Sequence, residues 1–262
     1  MDGGSTAVLL RSQSGEIATL TLNRPEARNA LSRGLMAALI DALADVAHDA
    51  AVRVVVIAAN GPAFSAGHDL RELRADPSEP AYRATFEACA RLMISLVRLP
   101  KPVIAQVHGI ATAAGCQLVA SCDLVVAADT ARFATPGVNI GLFCSTPMVA
   151  LSRAVGHKQA VEMLLTGELI SAERAREVGL VNRVVPEAAL ASATAELAAS
   201  IAAKSPLTLA IGKEAFYRQA EMTLDDAYAY TAEVMTRNML ARDAAEGIDA
   251  FLQKRKPVWT GA

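Results

Sequence analysis

Two stretches of this sequence place small residues where an apolar strand hands over to a helix, and both could turn backbone N–H groups toward a ligand. One is Val107-His108-Gly109-Ile110-Ala111-Thr112-Ala113-Ala114-Gly115-Cys116-Gln117-Leu118. The other is Phe64-Ser65-Ala66-Gly67-His68-Asp69-Leu70. Small side chains let the backbone approach a bound group, and the first N–H groups of a helix have no internal partner. One such turn can bind an anion. Two that converge make an oxyanion hole, which stabilises the charge that grows on a carbonyl oxygen.

Other side chains along the chain offer less. Cys144 and Ser145 could be nucleophiles only beside a base, which the sequence does not identify. Asn139 is a polar group in the same segment and is equally suited to capping a turn. Ser65, His68 and Asp69 have the residue types of a hydrolytic triad, but one short turn rarely presents three neighbours in relay geometry. His108, Cys116 and Cys122 lack the paired spacing of a zinc site.

Charge and composition narrow the classes further. Twenty-five basic residues against 27 acidic ones leave a formal net charge of −2, with no broad basic face for nucleic acid. Hydrophobic residues make up 53% and charged residues 20% of the 262, so the core is well filled and some apolar surface is left to bury between subunits. The four cysteines, Cys89, Cys116, Cys122 and Cys144, are too sparse for a disulfide scaffold and are expected to be reduced and buried. Met1-Asp2-Gly3-Gly4-Ser5-Thr6 has neither a basic region nor an apolar core, and no apolar run reaches the roughly 20 residues of a membrane span. A cytoplasmic location without a membrane partner is the expectation.

The elements that must hold the two turns follow from local pattern. Runs at 7–11 and 17–22 read as a hairpin around Ser12-Gln13-Ser14-Gly15. Ser32 caps a helix to 48 with Leu35, Leu39 and Leu43 on one face. The Val-rich run 52–58 suits a strand buried on both faces. Residues 75–80 read as a polar loop, and 82–99 as a helix stopped by Pro100 and Pro102. Strands are predicted at 102–107 and 124–128, an extended segment at 132–141, and helices at 146–155, 158–165 and from Ser171 to 178. After a short strand at 183–185, nearly everything is helical: 188–204, 206–218, 223–240 and 244–253. Strand–strand–helix units followed by a helical tail predict an α/β core over 1–204 and a helical region over 205–262.

The same stretches carry a family resemblance. Leu22-Asn23-Arg24-Pro25, the turn from Phe64 to Leu70, and Lys101-Pro102-Val103-Ile104-Ala105 resemble the crotonase (enoyl-CoA hydratase/isomerase) superfamily. So do Gly115-Cys116-Gln117-Leu118, Cys122-Asp123-Leu124, Leu165-Thr166-Gly167-Glu168 and Gly179-Leu180-Val181-Asn182, in family order and spacing. The likeness runs from about Val8 to Phe251-Leu252-Gln253-Lys254-Arg255-Lys256. It implies an α/β, crotonase-type spiral of repeated ββα units with a C-terminal helical trimerisation region, assembled as a homotrimer or a dimer of trimers. It also implies an acyl-CoA substrate, with coenzyme A entering as part of that substrate and no tightly bound cofactor or metal.

Site residues carry over position by position. The backbone N–H groups of His68 and Ala114 would grip the thioester carbonyl. Ala27, Arg28, Ala66, Asp69 and Leu70 would line the path of the coenzyme A arm. Lys254, with Phe251 nearby, would reach the nucleotide end across a subunit boundary. Ala113-Ala114-Gly115 stands where a glycine triplet is usual, which keeps the donor on a less permissive backbone.

The acids depart from the pattern. Hydration of a 2-enoyl thioester needs a base for water and an acid for the α-carbon, which the family supplies as two glutamates. Those positions are Gln117 and Gly137 here, and a third, where some members place an aspartate, is Ser145. None of the three takes up a proton near neutral pH. The family label implied is enoyl-CoA hydratase, with hydration expected to be weak or replaced. The alternatives are decarboxylation, isomerisation or thioester hydrolysis at the same hole, or thioester binding without turnover.

Overall fold

The computed structural model describes residues 7–262, so the reading of residues 1–6 lies outside it. Two sheets organise the described residues. The larger runs in the order β1 (Leu9–Ser14), β2 (Ile17–Leu22), β3 (Val54–Ala59), β5 (Val103–Val107), β7 (Leu124–Ala128), β10 (Arg183–Val185). The smaller runs β4 (Ala63–Ser65), β6 (Ile110–Thr112), β8 (Arg132–Ala134), β9 (Ile170–Ser171).

Both orders come from one repeated step. β3 joins the large sheet and β4 the small one; β5 with β6, and then β7 with β8, do the same. Successive members pair in parallel within each sheet. A helix or pair of helices follows each strand pair: α2 (Leu70–Ala75) and α3 (Glu79–Arg98), then α4 (Ala114–Ser121), then α5 (Ser145–Ala154) and α6 (His157–Thr166). The chain is a spiral of ββα units, preceded by the antiparallel β1–β2 hairpin and α1 (Arg33–His48). After α7 (Ala172–Glu177) and β10 it continues as α8 (Leu190–Ala202), α9 (Pro206–Gln219), α10 (Leu224–Met239) and α11 (Arg242–Leu252).

β3 can be Val54-Val55-Val56-Ile57 without a polar residue because both faces are covered. Val55 and Ile57 join Leu39 and Leu92 in the main core, while Val54 and Val56 meet Ile104, Val126 and the Leu197–Ala198 side of α8. On α1 the Ser32 hydroxyl accepts the Leu35 N–H at 3.2 Å, and Leu35, Leu39, Leu43 and Val46 are buried. That cap contributes about 1 kcal/mol to the helix.

Three boundaries differ from the sequence expectation. β1 runs on through Ser14, because Gly15 at φ +56° closes a tighter hairpin. Residues 75–80 are not one loop: the Ser78 hydroxyl accepts the Ala81 N–H, and Pro80 sits in the first turn of α3, where a missing N–H breaks no bond. Residues 132–141 split into β8 and the 3-10 turn Pro136–Ile140, since Pro136 cannot donate to a strand ladder.

The tail is tied down at two places. Lys213 of α9 donates to Asp123 Oδ2 at 2.6 Å and to the carbonyls of Leu96 and Lys101 at 2.9 and 3.0 Å. The Tyr217 hydroxyl donates to Asp123 Oδ1 at 2.9 Å. Farther on, Asp243 accepts from the Ser205 hydroxyl at 2.6 Å, the Thr260 N–H at 2.7 Å and the Gly261 N–H at 3.0 Å. Among the described residues no helix is long and apolar enough to cross a membrane.

Candidate active site

β4, β6 and β8 end on one edge of the small sheet, and the residues that follow each strand build the site. A Cβ on Gly67 (φ +92°) would come 2.9 Å from Ala113 Cβ and 3.2 Å from Ala114 N. A Cβ on Gly115 would lie 2.2 Å from the Ser65 carbonyl oxygen. Glycine at these positions is what lets the two turns touch. The small residues seen in the sequence are there because each turn is the other's neighbour.

His68 forms a parallel bridge with Leu31. The bonds of that bridge belong to its neighbours: the Leu31 N–H donates to Gly67 O at 2.7 Å, and the Asp69 N–H to Leu31 O at 3.4 Å. Backbone alternation therefore turns the His68 N–H to the other side, where it has no partner among the described residues. Ala114 opens α4, and its N–H is one of the donors a helix start leaves unpaired. The flanking groups are engaged, Ala113 N with Ala134 O at 2.9 Å and Gln117 N with Ala113 O at 3.0 Å. Two free N–H groups thus sit on adjoining turns. Ala113 holds its turn at φ +52°, ψ −120°, which costs an L-residue on the order of 1–3 kcal/mol.

A buried network fixes the His68 turn. Asn29, at φ +51°, donates to the carbonyls of Asn60 and Ala63 at 2.7 and 2.8 Å and accepts the Arg24 N–H at 2.8 Å. Arg24 donates to Ala30 O at 2.6 Å and to Asp69 Oδ2 at 3.0 Å. Asp69 also accepts the Arg71 and Glu72 N–H groups and so caps α2. Burial pushes the Asp69 carboxyl up, but Arg24 and these N–H groups outweigh it and hold it below the usual range. Its carboxylate is committed to the turn. Arg24 stood in the sequence only within the Leu22-Asn23-Arg24-Pro25 likeness and Asn29 not at all; asparagine's tolerance of left-handed backbone is the signal that could have singled it out.

The side chains around the hole differ in what they can do. The His68 ring meets Phe86 of α3 edge-on, with centroids 5.5 Å apart; its nitrogens are buried, and the Leu31 backbone is the polar group that acts on them. Burial pushes its pKa below the ordinary value, so the imidazole is neutral at pH 7. Gln117 is buried and accepts the Cys89 thiol on Oε1 at 3.6 Å; burial pushes that thiol up to about 12. A Cβ on Gly137 would lie 2.6 Å from Leu142 O and 2.8 Å from Cys144 Sγ, so the space beyond Gly137 is already filled. Burial raises the Cys144 thiol too, despite a hydrogen bond from Gly137. Ser145 is exposed and donates to Phe143 O at 3.4 Å. Neither nucleophile candidate has a hydrogen-bonded base among the described residues. The remaining unpartnered buried oxygen is Thr135 Oγ1, just past β8.

A cavity of about 550 Å³ opens on the same sheet edge, lined by Arg28, Ala66, Thr112, Ala134 and Asn139 among others. It gathers Arg28, Ala66 and Asn139 of the expected site residues, and the Ala66 N–H donates to Arg28 O at 3.0 Å. Ala27 ends the adjacent 3-10 turn Pro25–Ala27, and Leu70 opens α2 with its side chain exposed. Phe251 and Lys254 lie exposed at the end of α11, which packs on α9 and α10. Among the described residues no group of three or more His, Cys, Asp or Glu could hold a metal ion.

Comparison with known proteins bears on the whole of this arrangement. A family model described as enoyl-CoA hydratase/isomerase matches residues 12–262. Enoyl-CoA hydratase domain-containing protein 3, mitochondrial, of Xenopus laevis is 51% identical over 97% of this chain and 87% of its own length. Among solved structures, an enoyl-CoA hydratase of Mycobacterium smegmatis has a TM-score of 0.94 at 54% identity, covering 96% of this chain and 98% of that one. Human enoyl-CoA hydratase domain-containing protein 3 has a TM-score of 0.93 at 48% identity, covering 96% and 100%.

The Xenopus laevis protein and its namesakes from Homo sapiens, Rattus norvegicus, Mus musculus and Danio rerio are named as mitochondrial. This overturns the cytoplasmic expectation, which rested on the composition of residues 1–6 and the lack of an apolar span; neither property reports a compartment. The fold is in the same class as these relatives throughout. With the match continuous across both turns and on through the helical tail, this chain belongs to the enoyl-CoA hydratase/isomerase family.

Proposed function

We propose that this protein binds acyl-CoA thioesters, polarises their carbonyl through the His68 and Ala114 N–H groups, and hydrates 2-enoyl thioesters poorly. Two unpartnered N–H groups on touching turns support the first part, since a preorganised donor of this kind is worth about 3 kcal/mol in a transition state. The cavity beside Arg28, Ala66 and Asn139 suits the coenzyme A arm, which enters as part of the substrate; no further cofactor is called for. Exposed Leu224, Tyr228, Met235, Leu240 and Phe251 on α10, α11 and the segment between them support assembly into a trimer or a dimer of trimers. In that assembly Lys254 and Phe251 would serve a neighbouring subunit.

The observation that carries the second part is the filled space at Gly137. Restoring a carboxylate there requires moving Leu142 O and Cys144 Sγ, and position 117 holds a neutral amide. Each acid–base group contributes on the order of 10² to 10⁴ in rate, so the absence of both outweighs the family label.

The test is the loss of enoyl-thioester absorbance with crotonyl-CoA. The expected rate is at least about 10²-fold below that of a relative carrying both glutamates; a comparable rate overturns the proposal. Gln117→Glu combined with Gly137→Glu is expected to lose stability without regaining hydration, because the second substitution displaces the 142–144 backbone.

A further inference from the structure

We propose that the site decarboxylates thioesters bearing a carboxylate on the α-carbon, with malonyl-CoA as the simplest, through an enolate held by the His68 and Ala114 N–H groups. The inference rests on the acyl-CoA reading above and names a substrate class for that same site.

A pair of donors aimed at a thioester oxygen favours any step that places negative charge there. Adding water at the β-carbon, or shifting a double bond, also requires a group that accepts a proton. Cleaving an α-carboxylate does not, because the electron pair of the broken C–C bond itself forms the enolate.

The groups around the hole fit only the route without a base. On the first turn, the Asp69 carboxylate is held by Arg24 and by the Arg71 and Glu72 N–H groups. The His68 ring is neutral, and its nitrogens are buried out of a ligand's reach. On α4, Gln117 is a neutral amide, and burial pushes the Cys116 thiol up to about 12. Cys89, which meets Gln117 from α3, is pushed equally far. Beyond β8, Gly137 brings no side chain, and burial raises the Cys144 thiol.

Charge admits a carboxylate-bearing substrate. Asp69 is paired with Arg24, and Glu72 accepts the Arg33 N–H at 2.9 Å. Arg28 and Arg71 bond only through their backbones among the described residues. Arg28 also lines the cavity, which no acidic residue borders. An anionic acyl group therefore meets a cation at the site and no competing carboxylate.

In the step itself, the bond from the α-carbon to the carboxyl group breaks and carbon dioxide leaves. The electron pair becomes a double bond to the thioester carbon, while the carbonyl π pair moves onto the oxygen between the two N–H groups. The enolate then collapses to the thioester, and its α-carbon takes a proton from solvent water. The hydroxide left behind is neutralised by the medium, and no oxidant or reductant enters.

Incubation of the intact protein with malonyl-CoA, with acetyl-CoA read by mass spectrometry, tests this. Turnover is expected at least about 10²-fold above the spontaneous rate. Succinyl-CoA, whose carboxylate stands one carbon too far to leave an enolate, should stay intact. Ala114→Pro removes one N–H at a helix start that tolerates proline, and should lower turnover about 10²- to 10³-fold. In deuterium oxide, butyryl-CoA should keep its α-hydrogens, since no base removes them. Malonyl-CoA left intact, succinyl-CoA cleaved, undiminished turnover in Ala114→Pro, or exchange into butyryl-CoA each overturns the assignment. Should Ala114→Pro fail to fold, the wild-type measurements decide. Calorimetry separates the two readings: butyryl-CoA bound without malonyl-CoA turnover overturns decarboxylation alone, whereas failure of both thioesters to bind overturns the acyl-CoA reading itself.

Discussion

The turns around His68 and Ala114 leave polar groups open, whereas the C-terminal tail answers nearly every polar group it buries. In the tail, Asp243 is 1% exposed and still collects donors from Ser205, Thr260 and Gly261. Asp123 likewise takes Lys213, Tyr217 and the Val103 N–H. At the turns, two N–H groups have no partner among the described residues, and Ala113 sits in strained backbone. Unmet donors and strain persist only where the surrounding structure enforces them. The charges the tail buries are met within the protein, Asp243 by the tail's own donors and Lys213 by groups of the core. The turns, on the proposed function, have a ligand to come.

The largest test of that contrast is Lys213→Met. It strands Asp123 without its cation and is expected to cost about 3–5 kcal/mol in urea unfolding. Thioester affinity of the folded fraction should hold; a large change in affinity would join the two regions and break the comparison. Gly115→Ala tests the other side. The added methyl meets Ser65 O, so about 3 kcal/mol of stability and the thioester affinity should be lost together, read by unfolding and calorimetry.

A smaller effect is expected from acid. Glu246 is held at about 2, below its ordinary 4.5, chiefly by the Arg255 hydrogen bond and then by the Val258 N–H. A depressed carboxyl stabilises the fold above its ordinary value and loses that contribution as pH falls from 4.5 through about 2. The only tryptophan, Trp259, donates to Ala203 O at 2.8 Å and reports the tail by fluorescence. Glu246→Gln should flatten the emission change across that window; an unaltered profile would place the acid response elsewhere. The smallest effect is Ala113→Gly, expected to gain about 1 kcal/mol by relieving the positive φ. A loss of stability there would mean the turn is not strained.

Much of the frame could be read from local pattern. The Ser32 cap, the apolar face of α1, and the strands β7 and β10 follow from neighbours within a few residues, and all four stand where expected. The ββα order was readable for the same reason. Less could be read of the site. The roles of Asn29 and Arg24 could not be read, because their partners, Ala63 and Asp69, come from another segment. Phe86 and Cys89 gave no sign of bordering the hole, since their helical spacing marks only a core-facing side.

By itself the sequence determined the two small-residue turns, the strand–strand–helix repeat and the lack of a carboxylate at 117 and 137. These depend on residue type and short spacing. The tertiary structure alone decided that Gly67 meets Ala114, that Gly115 meets Ser65, that the space beyond Gly137 is filled, and that His68 packs against Phe86. Each of these is a contact between atoms from separate segments. Such distances are set by how the sheets and helices pack, and no local pattern encodes them.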